Sequence, residues 1–384
     1  MSAPLPMIPI AKPTLGDEEA AAASEAIRSG WVTQGPQVAG FEKDFAAYVG
    51  SPHACAVSSC TTALHLALHV LGVGAGDEVI TVSHSFIATA NAIRYCGATP
   101  VFVDVEPVTF NMDPKLVERA ITKKTKAILP VHQMGMPCDM TAIMAIANKH
   151  GLPVVEDAAC AIGSEIKVGE TWQKIGAPVG TVACFSFHPR KVITTGDGGM
   201  LTTRDAELDK RFRLLRQHAM SVSDTVRHSA SQVIFEEYPA VGFNYRMTDI
   251  QAAMGRVQLR RLPELLKRRV ELASNYARAF REIKGLVPPV APAWAKSNYQ
   301  SYAVRVTKEF PMTRDGLMQH LLERRISTRR GIMNSHQEGA YVNAGPFNLP
   351  ESEAARDGVI LLPLFSSMTD EEQGRVINEV IAIR

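Results

Sequence analysis

Lys191 lies between an apolar run, Phe185-Ser-Phe187, and a hydroxyl- and glycine-rich loop, Thr194-Thr-Gly-Asp-Gly-Gly199. An amine at the edge of an apolar strand is partly desolvated. Desolvation disfavours its charged form, lowers its pKa and makes it a nucleophile toward carbonyls. That is the chemistry of a Schiff-base lysine. A second apolar run, Leu152 to Val155, ends in Glu156 and Asp157. A carboxylate there is costly unless a cation or backbone amides meet it. A protonated pyridine nitrogen would serve as the cation, and the carboxylate would keep it an electron sink. Either acid can instead be satisfied by the amides of a following turn.

Two further segments fit the same chemistry. Ser58-Ser-Cys-Thr-Thr62 opens a helical pattern, where hydroxyls and free amides either bind a phosphate or only cap the helix. Ser83-His-Ser-Phe86 follows an apolar strand and puts Phe86 either at the rim of that site or in the core. Ser186 can add a hydroxyl to the phosphate. Together these are a phosphate cradle, an aromatic ring, an acid for a ring nitrogen and an imine-forming lysine, the parts needed to hold pyridoxal 5'-phosphate (PLP).

Something must bring these segments together. Asp17 is placed to cap a helix over Glu18 to Arg28, closed by Gly30. From Val57 onward, short strands alternate with helices: helix Thr61 to Leu71, strand Glu78 to Val82, helix Phe86 to Cys96 and strand Pro100 to Val105. A helix starting at Asp113-Pro, strand Ala127 to Val131, helix Asp139 to His150 and strand Leu152 to Val155 continue the pattern. This is the pattern of right-handed crossovers and a mostly parallel sheet, with ligands at the carboxyl ends of its strands. Thr248 to Ile283 reads as a long helical bridge, interrupted or kinked at Pro263. A proline-rich linker follows from Val287. Strands Tyr299 to Val306 and Val359 to Leu362, a helix Thr313 to Arg324 and a last helix from Asp370 indicate a smaller C-terminal α+β domain. The expected division is a large cofactor domain, 1–260, and a small domain, 261–384.

Composition narrows the function classes. The chain has 384 residues, of which 46% are hydrophobic and 21% charged, and 41 Lys plus Arg nearly balance 39 Asp plus Glu. No net field recruits nucleic acid or an anionic membrane. The six cysteines have no metal-site or redox-motif spacing and read as reduced thiols of a cytoplasmic protein. Met1 to Thr14 lacks the apolar core of a signal peptide, and no apolar stretch is long enough to span a bilayer.

The ordered motifs resemble the DegT/DnrJ/EryC1/StrS sugar aminotransferases, within the aspartate-aminotransferase type (fold type I) of PLP enzymes. They are Gly30-Trp-Val-Thr-Gln-Gly-Pro36, Ser58-Ser-Cys-Thr-Thr62, Phe86-Ile-Ala-Thr-Ala-Asn91, Val131-His-Gln-Met-Gly135, Glu156-Asp-Ala-Ala159, Ser186-Phe-His-Pro-Arg-Lys191 and Gly242-Phe-Asn-Tyr-Arg246. The resemblance implies that Lys191 holds the cofactor and shuttles protons, and that Asp157 pairs with the ring nitrogen. Phe86 would stack on the ring, while Cys60, Thr61 and Ser186 hold the phosphate. Asn244 would reach the phosphate of a neighbouring subunit, giving a homodimer with shared sites. Cys160 stands where the family commonly has Gln or His, and it replaces one cofactor contact. A branch of the family that dehydrates keto-sugars carries His in place of the lysine, so Lys191 argues against that reaction.

The implied reaction moves an amino group from glutamate to a nucleotide-linked keto-sugar. Trp31, Thr33, His336, Arg329 and Arg330 are candidates to face the acceptor, the arginine pair as a diphosphate site or as a solvated surface pair. For His336 a structural role is the alternative. A cyclitol ketone as acceptor, sugar dehydration, and a regulator keeping the fold are the rival readings.

Overall fold

In the computed structural model, residues 6–222, 227 and 231–383 are described. The first five residues of the amino-terminal segment lie outside that range. The expected alternation folds into one sheet. Its strands are β1 (His53–Val57), β2 (Glu78–Val82), β3 (Thr99–Val103), β4 (Thr125–Leu129) and β5 (Val155–Asp157). After a hairpin of β6 (Glu165–Val168) and β7 (Thr171–Lys174) come β8 (Val182–Ser186) and β9 (Gly199–Thr203). β2 pairs in parallel with β3 and β4, and β5 in parallel with β8. Bridges Ile128–Val154 and Val131–Asp157 join β4 to β5. The order is therefore β3-β2-β4-β5-β8-β9-β1, and β9 runs antiparallel to both its neighbours.

Helices α1 (Asp17–Arg28), α2 (Pro36–Val49), α3 (Cys60–Val70), α4 (Ala88–Tyr95), α5 (Pro114–Ala120), α6 (Met140–His150) and α7 (Ala206–Leu215) accompany this sheet. The central strands are buried almost throughout, which is why they read as continuous apolar runs without alternation. Four phenylalanines lock α2 onto the strand that leads to Lys191. The Phe45 and Phe185 rings are 5.0 Å apart and those of Phe41 and Phe187 5.2 Å.

Several boundaries differ from expectation. Gly16, not Asp17, is the N-cap of α1, because Glu19 turns back to accept from the Gly16 N–H at 2.7 Å. α4 begins at Ala88, leaving Phe86 ahead of the helix. β5 lies further along than Leu152 to Val155, since its register with β8 pairs Val155 with Val182 and Asp157 with Cys184. Both acids are therefore inside the strand.

The long helix Asp249–Phe280 runs continuously through Pro263. A proline there costs about 3 kcal/mol, offset by the burial of Leu262 and Leu265 on either side. Its first half, through Leu265, packs into the core around the large sheet, and its second half, from Leu272, into a separate core with Tyr302, Ile360 and Val376. That second core covers an antiparallel sheet ordered Leu286–Val287, Tyr302–Val306, Val359–Leu362, Arg329–Arg330. The strand expected from Tyr299 starts at Tyr302, because residues 298–301 are engaged elsewhere.

Candidate active site

A cleft of about 830 Å³ opens at the carboxyl ends of β4, β5 and β8. Successive side chains of a strand face opposite ways, and β5 uses this to separate its two acids. Glu156 turns inward, accepting from Gly180 N at 2.7 Å and meeting His132 Nε2 at 2.9 Å. His132 Nδ1 accepts from Cys138 N at 3.0 Å, so Nε2 carries the proton toward Glu156. Asp157 faces the cleft. It is only 5% exposed and accepts from Thr89 Oγ1 at 2.8 Å and Ala159 N at 3.1 Å. Among the described residues no cation is within ion-pair distance. Burial pushes its carboxyl above the ordinary value, more than its hydrogen bonds and the more distant Lys191 and His132 pull it down.

Lys191 follows β8 and its amine reaches the same cleft, donating to Cys160 Sγ at 3.0 Å. The expected fall in its pKa is corrected here. Burial does depress the ammonium form, but Cys160, Cys60 and Asp157 outweigh it, and the net direction is upward. The loop is held by residues 298–300. Gln300 accepts from Val192 N at 3.0 Å and donates to Arg190 O at 2.5 Å, bracketing Lys191. Asn298 donates to the carbonyls of Cys160 and Ile162, each at 2.8 Å. Buried Arg269 fixes this clamp by donating to Tyr299 O and Gln300 O, both at 2.7 Å; burial pulls its pKa down to about 9.

The start of α3 forms another wall. Ser59 caps it, accepting from Thr62 N at 3.1 Å, while Thr62 Oγ1 accepts from Ser59 N at 3.0 Å. Among the described residues nothing accepts from the amides of Cys60 and Thr61, and both residues line the cleft. Open amides at the positive end of a helix suit a phosphate. Ser186 lines the cleft beside them, and Phe86, 63% exposed, edges it. A buried carboxylate without a cation, an anion cradle, a free aromatic face and an amine in one cleft fit PLP.

The remaining candidates divide. Arg329 and Arg330 line the cleft, with Arg330 3.8 Å from Glu338. His336 does not: it is buried between Ser83 Oγ at 2.7 Å and Glu353 at 3.2 Å, tying the end of β2 to the helix Pro350–Gly358. Trp31 and Thr33 lie outside the cleft lining, on the loop before α2, where Asp249 takes the amides of Gly35, Gln37 and Val38. Asn244 is exposed and also outside it. Sequence reasoning missed Thr89, Asn298, Gln300 and Arg269. Thr89 was findable, three residues beyond Phe86 in the same motif; the other three act through backbone contacts that leave no pattern.

The model of the DegT/DnrJ/EryC1/StrS aminotransferase family matches residues 13–381. The chain belongs to this family. It is 40% identical over 378 residues to the spore coat polysaccharide biosynthesis protein SpsC of Bacillus subtilis (strain 168), covering 97% of this chain and 96% of that one. The crystal structure of the aminotransferase TlmJ from Streptoalloteichus hindustanus superimposes with a TM-score of 0.89 at 38% identity over 98% of both chains. The sugar aminotransferase Spr1654 from Streptococcus pneumoniae, solved in PMP and PLP forms, gives TM-scores of 0.91 and 0.90 at 31% and 30% identity, again over 98% of both chains. The fold is therefore the type I PLP fold, and the protein is a PLP-dependent aminotransferase in a family of sugar aminotransferases. No helix among the described residues is long and apolar enough to cross a membrane.

Proposed function

We propose that the enzyme transfers the amino group of glutamate to a nucleotide-linked keto-sugar. The observation that carries this reading is the cleft itself. At about 830 Å³ it exceeds what a pyridine ring and its phosphate fill, and Arg190, Arg329 and Arg330 edge the remaining space. Guanidinium groups suit a diphosphate or a carboxylate. The neighbouring proteins' descriptions, spore coat polysaccharide biosynthesis and sugar amination, agree with a sugar acceptor.

Bound here, PLP supplies an aldehyde for amine exchange and an electron-withdrawing ring. The amides of Cys60 and Thr61 with the Ser186 hydroxyl would anchor its phosphate. Asp157, oriented by Thr89, would hold the ring-nitrogen proton. Phe86 would pack against the ring. Lys191 Nζ would act as the base that removes the donor's α-proton and, in the second half of the cycle, as the acid that delivers a proton to the acceptor carbon, so it would set the face that is protonated. Glutamate leaves as 2-oxoglutarate.

A second copy of the chain supports the site in this reading. Backbone bonds of Phe243 and Tyr245 to Leu215 O and Arg216 O hold that segment extended, which turns Asn244 outward. In the chain stretch before it Val233, Phe235, Tyr238 and Val241 are exposed, Phe235 by 87%. Such an apolar strip fits a homodimer in which Asn244 serves the partner's phosphate. The six free cysteines accord with a cytoplasmic enzyme, where thiols stay reduced.

Incubation with glutamate and a panel of keto-sugar nucleotides, followed by mass, tests the acceptor. One of them gains an amine while 2-oxoglutarate appears. Amination of free keto-sugars or cyclitol ketones alone would overturn the nucleotide.

A further inference from the structure

Cys160 sits on the cleft wall after Asp157-Ala-Ala, and its Sγ is 3.0 Å from Lys191 Nζ. Both side chains line the cleft and are half-buried. None of the other five thiols lies within hydrogen-bond distance of a lysine amine among the described residues. Burial pushes Cys55 up to about 12 and Cys96 up to about 11, and it pushes Cys60, Cys138 and Cys184 well above the ordinary value. A thiol kept protonated in that way is a poor nucleophile. Cys160 combines contact with a donating amine and an opening to a small diffusible oxidant.

We infer that Cys160 and Lys191 form a reversible oxidation lock, in which hydrogen peroxide joins them through a sulfur–nitrogen bond and removes the amine that activity needs. The inference rests on Lys191 being the amine that serves the cofactor. In the first step the Cys160 thiolate attacks one peroxide oxygen. An S–O bond forms as the O–O bond breaks, sulfur loses two electrons, and the departing hydroxide takes a proton from the Lys191 ammonium and leaves as water. Cys160 is now a sulfenic acid beside a neutral amine. In the second step Nζ attacks the sulfur, the S–O bond breaks, and hydroxide leaves with a proton from nitrogen as a second water. Sulfenic acids condense with nitrogen in this manner. The 3.0 Å separation means that no backbone movement is needed. A thiol reductant reverses the lock, restoring thiol and amine while becoming a disulfide itself. Where the cofactor already engages the amine, the second step has no nucleophile.

The test uses the cofactor-free, full-length protein treated with hydrogen peroxide, digested without reductant and mapped by mass. The expected product joins the Cys160 and Lys191 peptides and is lighter than their sum by two hydrogens. It disappears with dithiothreitol, is absent in Cys160→Ser, and falls several-fold when PLP is loaded first. In Lys191→Ala, Cys160 instead accumulates sulfenic acid that dimedone traps. A Cys60–Cys160 disulfide, oxidation of Cys160 to sulfinic acid without a bond to Lys191, or an unreacted Cys160 would overturn the lock. The mapped bond does not depend on amino transfer, so either reading can fail while the other stands.

Discussion

The charged form of the Asp157 carboxyl is disfavoured in the cofactor-free protein. It is buried, it has two hydrogen bonds and, among the described residues, no paired cation, and its carboxyl is raised above its ordinary 3.8 by burial. Between that value and the raised one the folded chain binds more protons than the unfolded chain, so stability falls as pH rises through this window. Asp157→Asn should therefore stabilise the cofactor-free protein at neutral pH by roughly 1–3 kcal/mol, with the gain vanishing in acid, as thermal melts against pH would report. The same change should weaken PLP binding by about two orders of magnitude, the equivalent of roughly 3 kcal/mol for a buried pair deprived of one member. Destabilisation at every pH would contradict this account of the residue. Lys191 moves the other way: its raised pKa contributes stability that is present below 10.5 and lost as pH climbs through the folded value. The flanking residues were enough to single out Lys191, which the fold brings to the cleft. The direction of its shift was not legible, because the groups that set it are far apart in the chain and meet only in the folded cleft.

At the scale of elements, the proposed phosphate site depends on how closely β9 approaches the cap of α3. A Cβ added to Gly199 would lie 2.4 Å from the carbonyl of Ser59 and 2.7 Å from Cys60 N. Gly199→Ala should push the helix start away, costing about 1–3 kcal/mol in stability and weakening inorganic phosphate or PLP binding more than it affects folding. Isothermal titration beside a thermal melt would check it, and unchanged binding would count against the cradle. Turn chemistry and apolar runs revealed the alternation of strands and helices, including β2 and the strand Val359–Leu362 residue for residue. They did not reveal which of Glu156 and Asp157 faces the cleft, since that depends on strand register, nor the clamp at residues 298–300, whose hydrogen bonds to main-chain carbonyls need no periodic sequence.

At the scale of the whole molecule, two cores share the helix Asp249–Phe280, so the lysine loop and its clamp arrive from different cores. Continuity of that helix through Pro263 was not legible, because the offsetting burial comes from tertiary packing. The proposed shared site gives a direct prediction. Asn244→Ala chains and Lys191→Ala chains, each impaired as homodimers, should recover some activity when mixed, up to about a quarter of wild type if subunits exchange at random and one intact site per hybrid suffices. No recovery under demonstrated exchange would count against sharing.

The central claim is that Lys191 serves a cofactor held by Asp157 and the start of α3. The absorption spectrum of the PLP-loaded protein tests it most directly. A visible or near-ultraviolet band should appear, shift when glutamate is added, and be missing in Lys191→Ala. A protein that stays colourless after incubation with PLP, or a band that survives Lys191→Ala unchanged, would contradict it.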